Sequence, residues 1–174
     1  NKVLARIKTG SRNVFREKTL SNDRNTAISF LVDCSGSMHG SNIYHCMRAV
    51  VMFLESLKAA NIPSEVLGYT SGGRLNALSK LGNSERNAAT FNFGRVEKLV
   101  TYIFKEFHEP FNAKIKERIG GWESITMRNN FDPESIKIAH DRLIQRPESR
   151  KILFVLSDGM VAGLGNRKMG IKYV

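Results

Sequence analysis

The stretch that decides the fold is TAISFLVDCSGSM, residues 26–38. Its first seven residues form a continuous apolar and β-branched run, which is typical of a strand covered on both faces in a largely parallel sheet. Asp33, Ser35 and Ser37 follow at alternating positions, and Gly36 between the serines lets the backbone pass close to a neighbouring segment. If the chain stays extended here, the three side chains aim their oxygens the same way. The stretch therefore predicts a buried strand that ends in a cluster of oxygen ligands.

The next segments predict a strand, a helix and a second strand in succession. Residues 43–60 carry apolar side chains at spacings of three and four, which indicates an amphipathic helix with one buried stripe. Residues 65–69, EVLGY, predict the second strand. Residues 71–94 are rich in Gly, Asn and Ser, and we expect an excursion there, with a short edge hairpin.

The second half predicts three further helices and a closing strand. Apolar spacing places one helix at residues 96–107, and a shorter one follows at residues 112–119. Asp132 is predicted to be the N-cap of a third helix, with Pro133 in its first turn. Residues 151–157, KILFVLS, predict another strand buried on both faces.

This alternation predicts an α/β fold, an open, doubly wound and mostly parallel sheet flanked by helices, as in Rossmann-like domains. We expect two parts: a basic N-terminal arm at residues 1–25 and one domain at residues 26–174. Residues 169–174 resemble the beginning of a helix, so the domain is expected to be truncated at its C-terminus and to continue in a longer natural chain.

Composition narrows the class of protein. The chain has 174 residues, enough for one well-packed domain, and 41% of them are hydrophobic. No apolar run approaches the roughly 18 residues that predict a membrane span, and no cleavable signal opens the chain, so we expect a cytoplasmic protein with no membrane contact. Cys34 and Cys46 are too few for a disulfide framework, and both are expected to be reduced.

The formal net charge is +11, and the basic residues crowd the N-terminal arm. Such a surface attracts phosphates or an acidic protein face. Only Phe15 interleaves with the basic side chains, so a stacking platform for nucleic acid is poorly supported and a solvated arm is the preferred interpretation. The basic residues of this arm are Lys2, Arg6, Lys8, Arg12, Arg16, Lys18 and Arg24.

Two acidic residues that are distant in sequence are predicted to meet at one edge of the sheet. Asp33 and Asp158 each follow a buried strand, and the carboxyl ends of parallel strands share one crevice. Hard oxygen ligands without clustered Cys or His suit Mg²⁺, or else Mn²⁺ or Ca²⁺, and disfavour zinc. The alternative for Asp33, Ser35 and Ser37 is ordinary turn chemistry at the start of a helix.

These motifs resemble a known site. A DxSxS pattern after one strand and SDG after another are similar to the metal-ion-dependent adhesion site of von Willebrand factor type A (VWA) domains. The resemblance implies that Ser35 and Ser37 bind the metal directly, and that Asp33 and Asp158 bind it directly or through water. The threonine that this family contributes from a middle loop is replaced by Asn130, which also offers an oxygen. The N-terminus of the first predicted helix, which follows Ser37, disfavours the cation somewhat but would favour an incoming carboxylate at an open coordination position.

Asp132 is the second candidate for the missing threonine's place. Its metal role and its role as a helix cap are both open from the residues alone.

A narrower resemblance covers nearly the whole chain. The sequence is similar to the C-terminal domain of the CobT family, the T subunit of aerobic cobaltochelatase. The segments that carry the likeness are VFREKTLSNDRNTAISFLVDCSGSM, IPSEVLGYT, RLNAL, FKEFHEPFNAKIKERIGG and FDPESIKIAHDRLIQRPESRKILFVLSDG. Residues 160–165, MVAGLG, depart from the proline or small residue and acidic cluster usual after SDG.

This likeness implies a non-catalytic subunit in a hetero-oligomeric, ATP-driven complex that inserts Co²⁺ into a corrin ring. Its implied partners are an AAA+ ATPase subunit and a large tetrapyrrole-binding chelatase subunit. CobT-like proteins also accompany such ATPases outside cobalamin synthesis, for example in bacteriophages, which is the alternative setting. The chain has no GxxxxGK[ST] motif, so we expect a partner to hydrolyse any ATP.

Cys34 raises the further possibility of a nucleophile with His39 or His45 as its base. No third group is predicted to orient such a base, so catalysis is disfavoured. A small side chain between ligands is sufficient reason for this cysteine.

Overall fold

The computed structural model describes residues 25–74 and 97–159. The basic arm, most of the predicted excursion and the C-terminal helix start lie outside these residues. Two short 3-10 turns, Gly36–Met38 and Gly121–Ser124, accompany the main elements. Along the chain, these elements are β1 (Thr26–Asp33), α1 (Ser41–Ala59), β2 (Ser64–Arg74), β3 (Glu97–Lys105), α2 (Ala113–Gly120), α3 (Asp132–Ile144) and β4 (Arg150–Leu156).

The four strands form one sheet in the order β3-β2-β1-β4. β1 lies in the middle and pairs in parallel with β2 and β4, with Phe30 opposite Val66 on one side and Phe154 on the other. β3 pairs antiparallel with β2. The predicted α/β class with a mostly parallel sheet is therefore confirmed.

Helices cover both faces of the sheet, and apolar side chains of β1 lie on both of them. One face carries Ile28, Phe30 and Val32, which pack with the buried sides of α1 and α2. The other face carries Leu31, which packs with Leu67 and with α3. Every residue of β1 is buried, as the continuous apolar run predicts.

α1 confirms its predicted stripe with one exception. The helix follows Gly40, whose φ of 86° is the left-handed region that favours glycine, and it ends before Asn61, whose φ is 54°. Phe53 was expected on the buried face but is 54% exposed. Its ring instead stacks beside Phe154 on β4, with centroids 6.4 Å apart. The fully buried members of the stripe are Ile43, Met47, Val50 and Leu54.

The helix predicted at residues 96–107 is wrong, because this segment is strand β3. Its apolar side chains recur at helical spacing, but residues 99–104, LVTYIF, are also a run of β-branched and aromatic residues that suits a pleated surface. Pairing with β2 decides between the two, with Tyr102 opposite Gly68 and Leu99 opposite Ser71. Only the tertiary partner distinguishes a short apolar strand from a helix here.

The predicted starts of α2 and α3 each lie one residue from the observed starts. Asn112 caps α2, and its side chain accepts a hydrogen bond from the backbone N–H of Ile115 at 3.2 Å. The predicted N-cap of α3 is one residue off: Phe131 holds that position, and Asp132 is the first helical residue. The Asp132 carboxylate is used elsewhere, because it accepts a hydrogen bond from Tyr69.

No helix in the described ranges is both long enough and apolar enough to cross a lipid bilayer.

Candidate functional site

Asp33 joins three loops at the carboxyl end of the central strand. It is completely buried. Its Oδ1 accepts a hydrogen bond from the backbone N–H of Ser35 at 2.8 Å. Its Oδ2 accepts from the side-chain amide of Asn130 at 3.2 Å and from the hydroxyl of Ser157 at 3.0 Å. One carboxylate thus holds together the loops after β1, before α3 and after β4.

The two serines of the DxSxS motif lie side by side. Their hydroxyl oxygens are 3.0 Å apart, with Ser35 buried and Ser37 exposed. Between them, the N–H of Gly36 donates to the carbonyl of Arg128 at 2.6 Å, which confirms the predicted close passage of the backbone. The motif therefore faces solvent through Ser37 and is anchored inside through Ser35.

Residues at the end of β2 hold the loop before α3, and sequence reasoning missed them. The hydroxyl of Thr70 accepts from the N–H of Arg128 at 3.0 Å and donates to the carbonyl of Asn129 at 3.4 Å. Ser71 bonds Asn129 through both its backbone N–H (2.9 Å) and its hydroxyl (3.2 Å). The signal in the sequence is the pair of hydroxyl residues directly after EVLGY, where a strand interior would be apolar.

The pKa of Asp132 depends on the groups around it at this edge of the sheet, Asn130 among them. Burial raises the pKa of Asp132, and the negative charges of Asp33 and Asp158 add to the rise. Hydrogen bonds from Tyr69 and from the completely buried Asn130 oppose this rise without cancelling it. Three carboxylates therefore act on one another at one end of the sheet.

Tyr69 is the other missed residue of the site. Burial raises the pKa of its phenol, and the charges of Asp33 and Asp132 add to the effect. The phenol therefore stays protonated and donates to Asp132 at 2.8 Å. This bond ties the first turn of α3 to β2.

The structure brings four of the five predicted metal ligands into one hydrogen-bonded cluster: Asp33, Ser35, Ser37 and Asn130. Asp158 is exposed and follows Ser157, which bonds the cluster directly. In the part of the chain that the structure describes, no three His, Cys, Asp or Glu side chains are grouped to hold a metal. An ion at this edge would depend on hydroxyl and amide oxygens as well as carboxylates.

Cys34 is an unreactive thiol rather than a nucleophile. It is 1% exposed, and burial raises its pKa to about 12, with the charge of Asp33 as the second cause. Burial also raises the pKa of Cys46 to about 11. Both cysteines are free thiols, as predicted.

We expect Ellman's reagent at pH 8 to leave Cys34 unmodified in the folded protein, because its sulfur is buried and the thiolate is disfavoured. After unfolding in guanidinium, both thiols should react with Ellman's reagent at the rate of a free cysteine. Mass spectrometry of tryptic peptides identifies which thiol has reacted. Rapid labelling of Cys34 in the folded state would contradict the burial described here.

Comparisons with known proteins agree with this fold. Residues 14–166 match the family model described as the cobalamin biosynthesis protein CobT VWA domain. Uncharacterized protein YojO of Bacillus subtilis (strain 168) is 25% identical over 159 residues, which cover 90% of this chain and 22% of that protein. The open conformation of the pilus adhesin SpaC from Lactobacillus rhamnosus GG superposes with a TM-score of 0.52 at 19% identity, over 78% of this chain and 15% of the adhesin. The adhesin shows the shared fold alone, and the chain spans about a fifth of the Bacillus protein's length.

Proposed function

This chain belongs to the CobT VWA domain family, and from that premise we propose that it docks a partner protein through a bound divalent cation. Mg²⁺ is the proposed ion, with Mn²⁺ or Ca²⁺ as substitutes. The observation that carries the proposal is the buried Asp33 carboxylate, which ties three loops together beside two serine hydroxyls 3.0 Å apart. The proposed ligands are Asp33, Ser35, Ser37, Asn130 and Asp158.

The donor set fits a hard cation. Hydroxyl, amide and carboxylate oxygens are the ligands that Mg²⁺ and Ca²⁺ prefer, and the cluster offers no thiolate or imidazole. Cys34 lies between two of these residues, but its thiol donates away from them to the carbonyl of Val32 at 3.7 Å. Asn130 directs its amide N–H groups at carboxylates, and its amide oxygen is the atom suited to the ion.

The hydrogen bonds around Asp33 prearrange the ligands. Ser157 and Asn130 hold the carboxylate in place, and Thr70 fixes the loop that carries Asn130. Little ordering is then required when an ion arrives, which favours affinity. Of the five proposed ligands only Asp33 and Asp158 bear charge, and the other three offer neutral oxygens, so the ion would remain a Lewis acid that can accept a further carboxylate.

A bound ion of this kind presents an open position to an aspartate or glutamate of the partner. Docking fits the site better than catalysis, because the thiol of Cys34 is inert and its hydrogen bond goes to the carbonyl of Val32 rather than to a histidine base. Ser37 is the exposed member of the motif and lies where a partner's carboxylate would approach.

We propose an AAA+ ATPase subunit as the docked partner, in a cobaltochelatase-like complex with a large tetrapyrrole-binding subunit. Membership of the CobT VWA family supports this setting. An AAA+ machine outside cobalamin synthesis is the second candidate, since the metal-dependent docking would be the same. Genes for corrin synthesis beside this one favour the first setting, and an ATPase gene without them favours the second.

The test is capture of the purified neighbouring AAA+ ATPase by the immobilised chain, with Mg²⁺ or with EDTA. We expect Mg²⁺-dependent capture by the wild type, and at least tenfold less by Asp33→Ala and Ser35→Ala, because both lose ligand oxygens. Ser56→Ala is the matched control, since Ser56 is an exposed serine of α1 that bonds only within its helix. Titration with Mn²⁺ followed by electron paramagnetic resonance measures ion binding separately.

Equal capture by all variants, with and without Mg²⁺, would refute metal-bridged docking. Mn²⁺ binding that is unchanged in Ser35→Ala would refute the ligand assignment. Circular dichroism must show that each variant is folded before either result is used.

A further inference from the structure

A cleft of about 280 Å³ opens at the end of the sheet opposite the candidate metal site. It lies where α1 ends, β2 begins and β3 ends. Its volume is just below the roughly 300–1,000 Å³ usual for small-molecule pockets, so its ligand would be small. The lining residues that matter here are Lys58, Asn61 and Lys105, which are polar, and Leu54, Ile62 and Phe111, which are apolar.

Lys105 is a buried ammonium in the wall of this cleft. The residue is only 3% exposed. Its Nζ donates to the carbonyl of Ser64 at 2.5 Å and to that of Glu106 at 3.0 Å. A lysine ammonium has three N–H donors, so these neutral carbonyls take two and form no ion pair with it. Burial lowers the pKa of Lys105, and the more distant charges of Glu109 and Glu65 oppose this effect only in part.

The two acidic residues whose charges act on Lys105, Glu109 and Glu65, are already paired with arginines. Glu65 is bonded by Arg142, with Nε at 2.9 Å from its Oε1. Glu109 is bonded by Arg118 at 2.8 Å. Among the described residues, no carboxylate lies within salt-bridge distance of Lys105. The wall of the cleft therefore keeps its positive charge.

Lys58 adds a second cation at the mouth. It is exposed, and the neighbouring acid Glu55 is paired with Lys116 instead. The carbonyls that end α1 do not oppose an anion strongly, because backbone N–H groups already satisfy them. The carbonyl of Lys58 accepts from Asn61 at 3.1 Å, and that of Leu57 from Ile62 at 2.9 Å.

We propose that this cleft binds a small organic acid, with a carboxylate at Lys105 and Lys58 and an apolar body against Ile62 and Phe111. A carboxylate suits the site better than phosphate. The buried ammonium has one N–H to offer, whereas a phosphate dianion needs several donors around it. The apolar wall would leave phosphate oxygens without partners. This site is separate from the proposed metal-dependent docking.

The test follows ¹H–¹⁵N NMR shifts of the 174-residue chain during titration with benzoate, with neutral benzamide and inorganic phosphate as comparison probes. We expect benzoate to shift the amides of Asn61, Ile62 and Phe111, and the other two probes to bind far more weakly. Lys105→Met should weaken benzoate binding by about tenfold or more, the usual effect of losing a hydrogen bond to a charged group. Lys58→Gln should weaken it severalfold.

Two variants are matched controls. Lys114→Gln removes an exposed lysine of α2 that does not line the cleft, and it should leave benzoate binding unchanged. Ser35→Ala should also bind benzoate normally while losing Mn²⁺, which separates this site from the docking site. If Lys105→Met does not fold, Lys58→Gln and the pattern of shifted amides still decide the result.

Absence of benzoate binding would overturn the proposal, as would equal binding to the wild type and Lys58→Gln. Benzamide binding as tightly as benzoate would show a purely apolar cleft and would overturn the role of the lysines. Phosphate binding without benzoate binding would overturn the assignment to a carboxylate.

Discussion

Replacing Arg142 by methionine is expected to lower the free energy of unfolding by about 3–5 kcal/mol, the usual cost of leaving a buried charge without its partner. Arg142 on α3 donates from Nε and Nη2 to Oε1 of Glu65 on β2. Glu65 is completely buried, and its other contact is the hydroxyl of Ser29 at 3.4 Å. Without the guanidinium, the carboxylate stays inside the protein with one weak hydrogen bond.

The two members of this pair should respond unequally. The Arg142 side chain is 37% exposed, so its guanidinium can turn toward water when Glu65 is replaced. We therefore expect Glu65→Gln to cost less, about 1–3 kcal/mol, the range for losing a hydrogen bond to a charged group. Lys137→Met on the same helix is the control, because its ion pair with Asp141 is exposed and screened by solvent, so its loss should be small.

Urea denaturation measures the free energy of unfolding of all three variants. An unchanged m-value shows that the difference is one of stability. A loss for Arg142→Met no larger than that for Lys137→Met would contradict the description of Glu65 as a buried, dependent carboxylate. The comparison also tests how α3 is held to the sheet, since this pair lies on the same face as Leu31 and Leu67.

Replacing Gly68 by alanine is expected to cost about 1–3 kcal/mol, the usual penalty for overfilling a packed core. A Cβ at this position would lie 2.6 Å from Cε2 of Phe104 and 2.9 Å from the sulfur of Cys34. Phe104 and Cys34 are both buried, so neither can move aside freely. The displaced sulfur would also disturb the backbone between Asp33 and Ser35.

Thermal unfolding of four variants checks this prediction: Gly68→Ala, Phe104→Leu, their combination and Gly120→Ala. Gly120→Ala is the control, because nothing lies within 4 Å of a Cβ there, and the change should be neutral or slightly stabilising. Gly68→Ala combined with Phe104→Leu should lose less than the sum of the two single changes, since the smaller side chain leaves space for the new methyl group. Strict additivity of the two losses would mean that Phe104 is not the obstacle.

Much of the candidate site could be predicted from local patterns. A strand precedes each of Asp33 and Asp158, and parallel strands end on the same side of a sheet, so the sequence predicts both at one edge. The predicted burial of β4 on both faces is wrong among the described residues, since Phe154 and Val155 are exposed.

The period of an extended chain predicts that the two serines aim the same way, and their hydroxyls are indeed 3.0 Å apart. The chain does not stay extended, however, because a 3-10 turn at Gly36–Met38 places Ser37 beside Ser35. Their role as metal ligands stays a prediction.

The support around the site could not be predicted, because it comes from other elements. Nothing local indicates that the hydroxyl of Ser157 bonds Asp33, or that Tyr69 bonds Asp132 across 63 residues of sequence. The N-cap of α3 was misplaced for the same reason. Asp132 has the right chemistry for a cap, but the fold uses its carboxylate for Tyr69.

The amino-acid sequence alone determined the central strand, helix α1, the α/β class and the residues that gather after β1, because continuous apolar runs and periods of two and 3.6 are local properties. Tertiary structure alone decided that residues 97–105 are a strand, that Glu65 is stable inside the sheet and that Lys105 is buried against two carbonyls. Each of these depends on a partner many residues away, and the free energy of pairing or burying a group is set by what surrounds it in space.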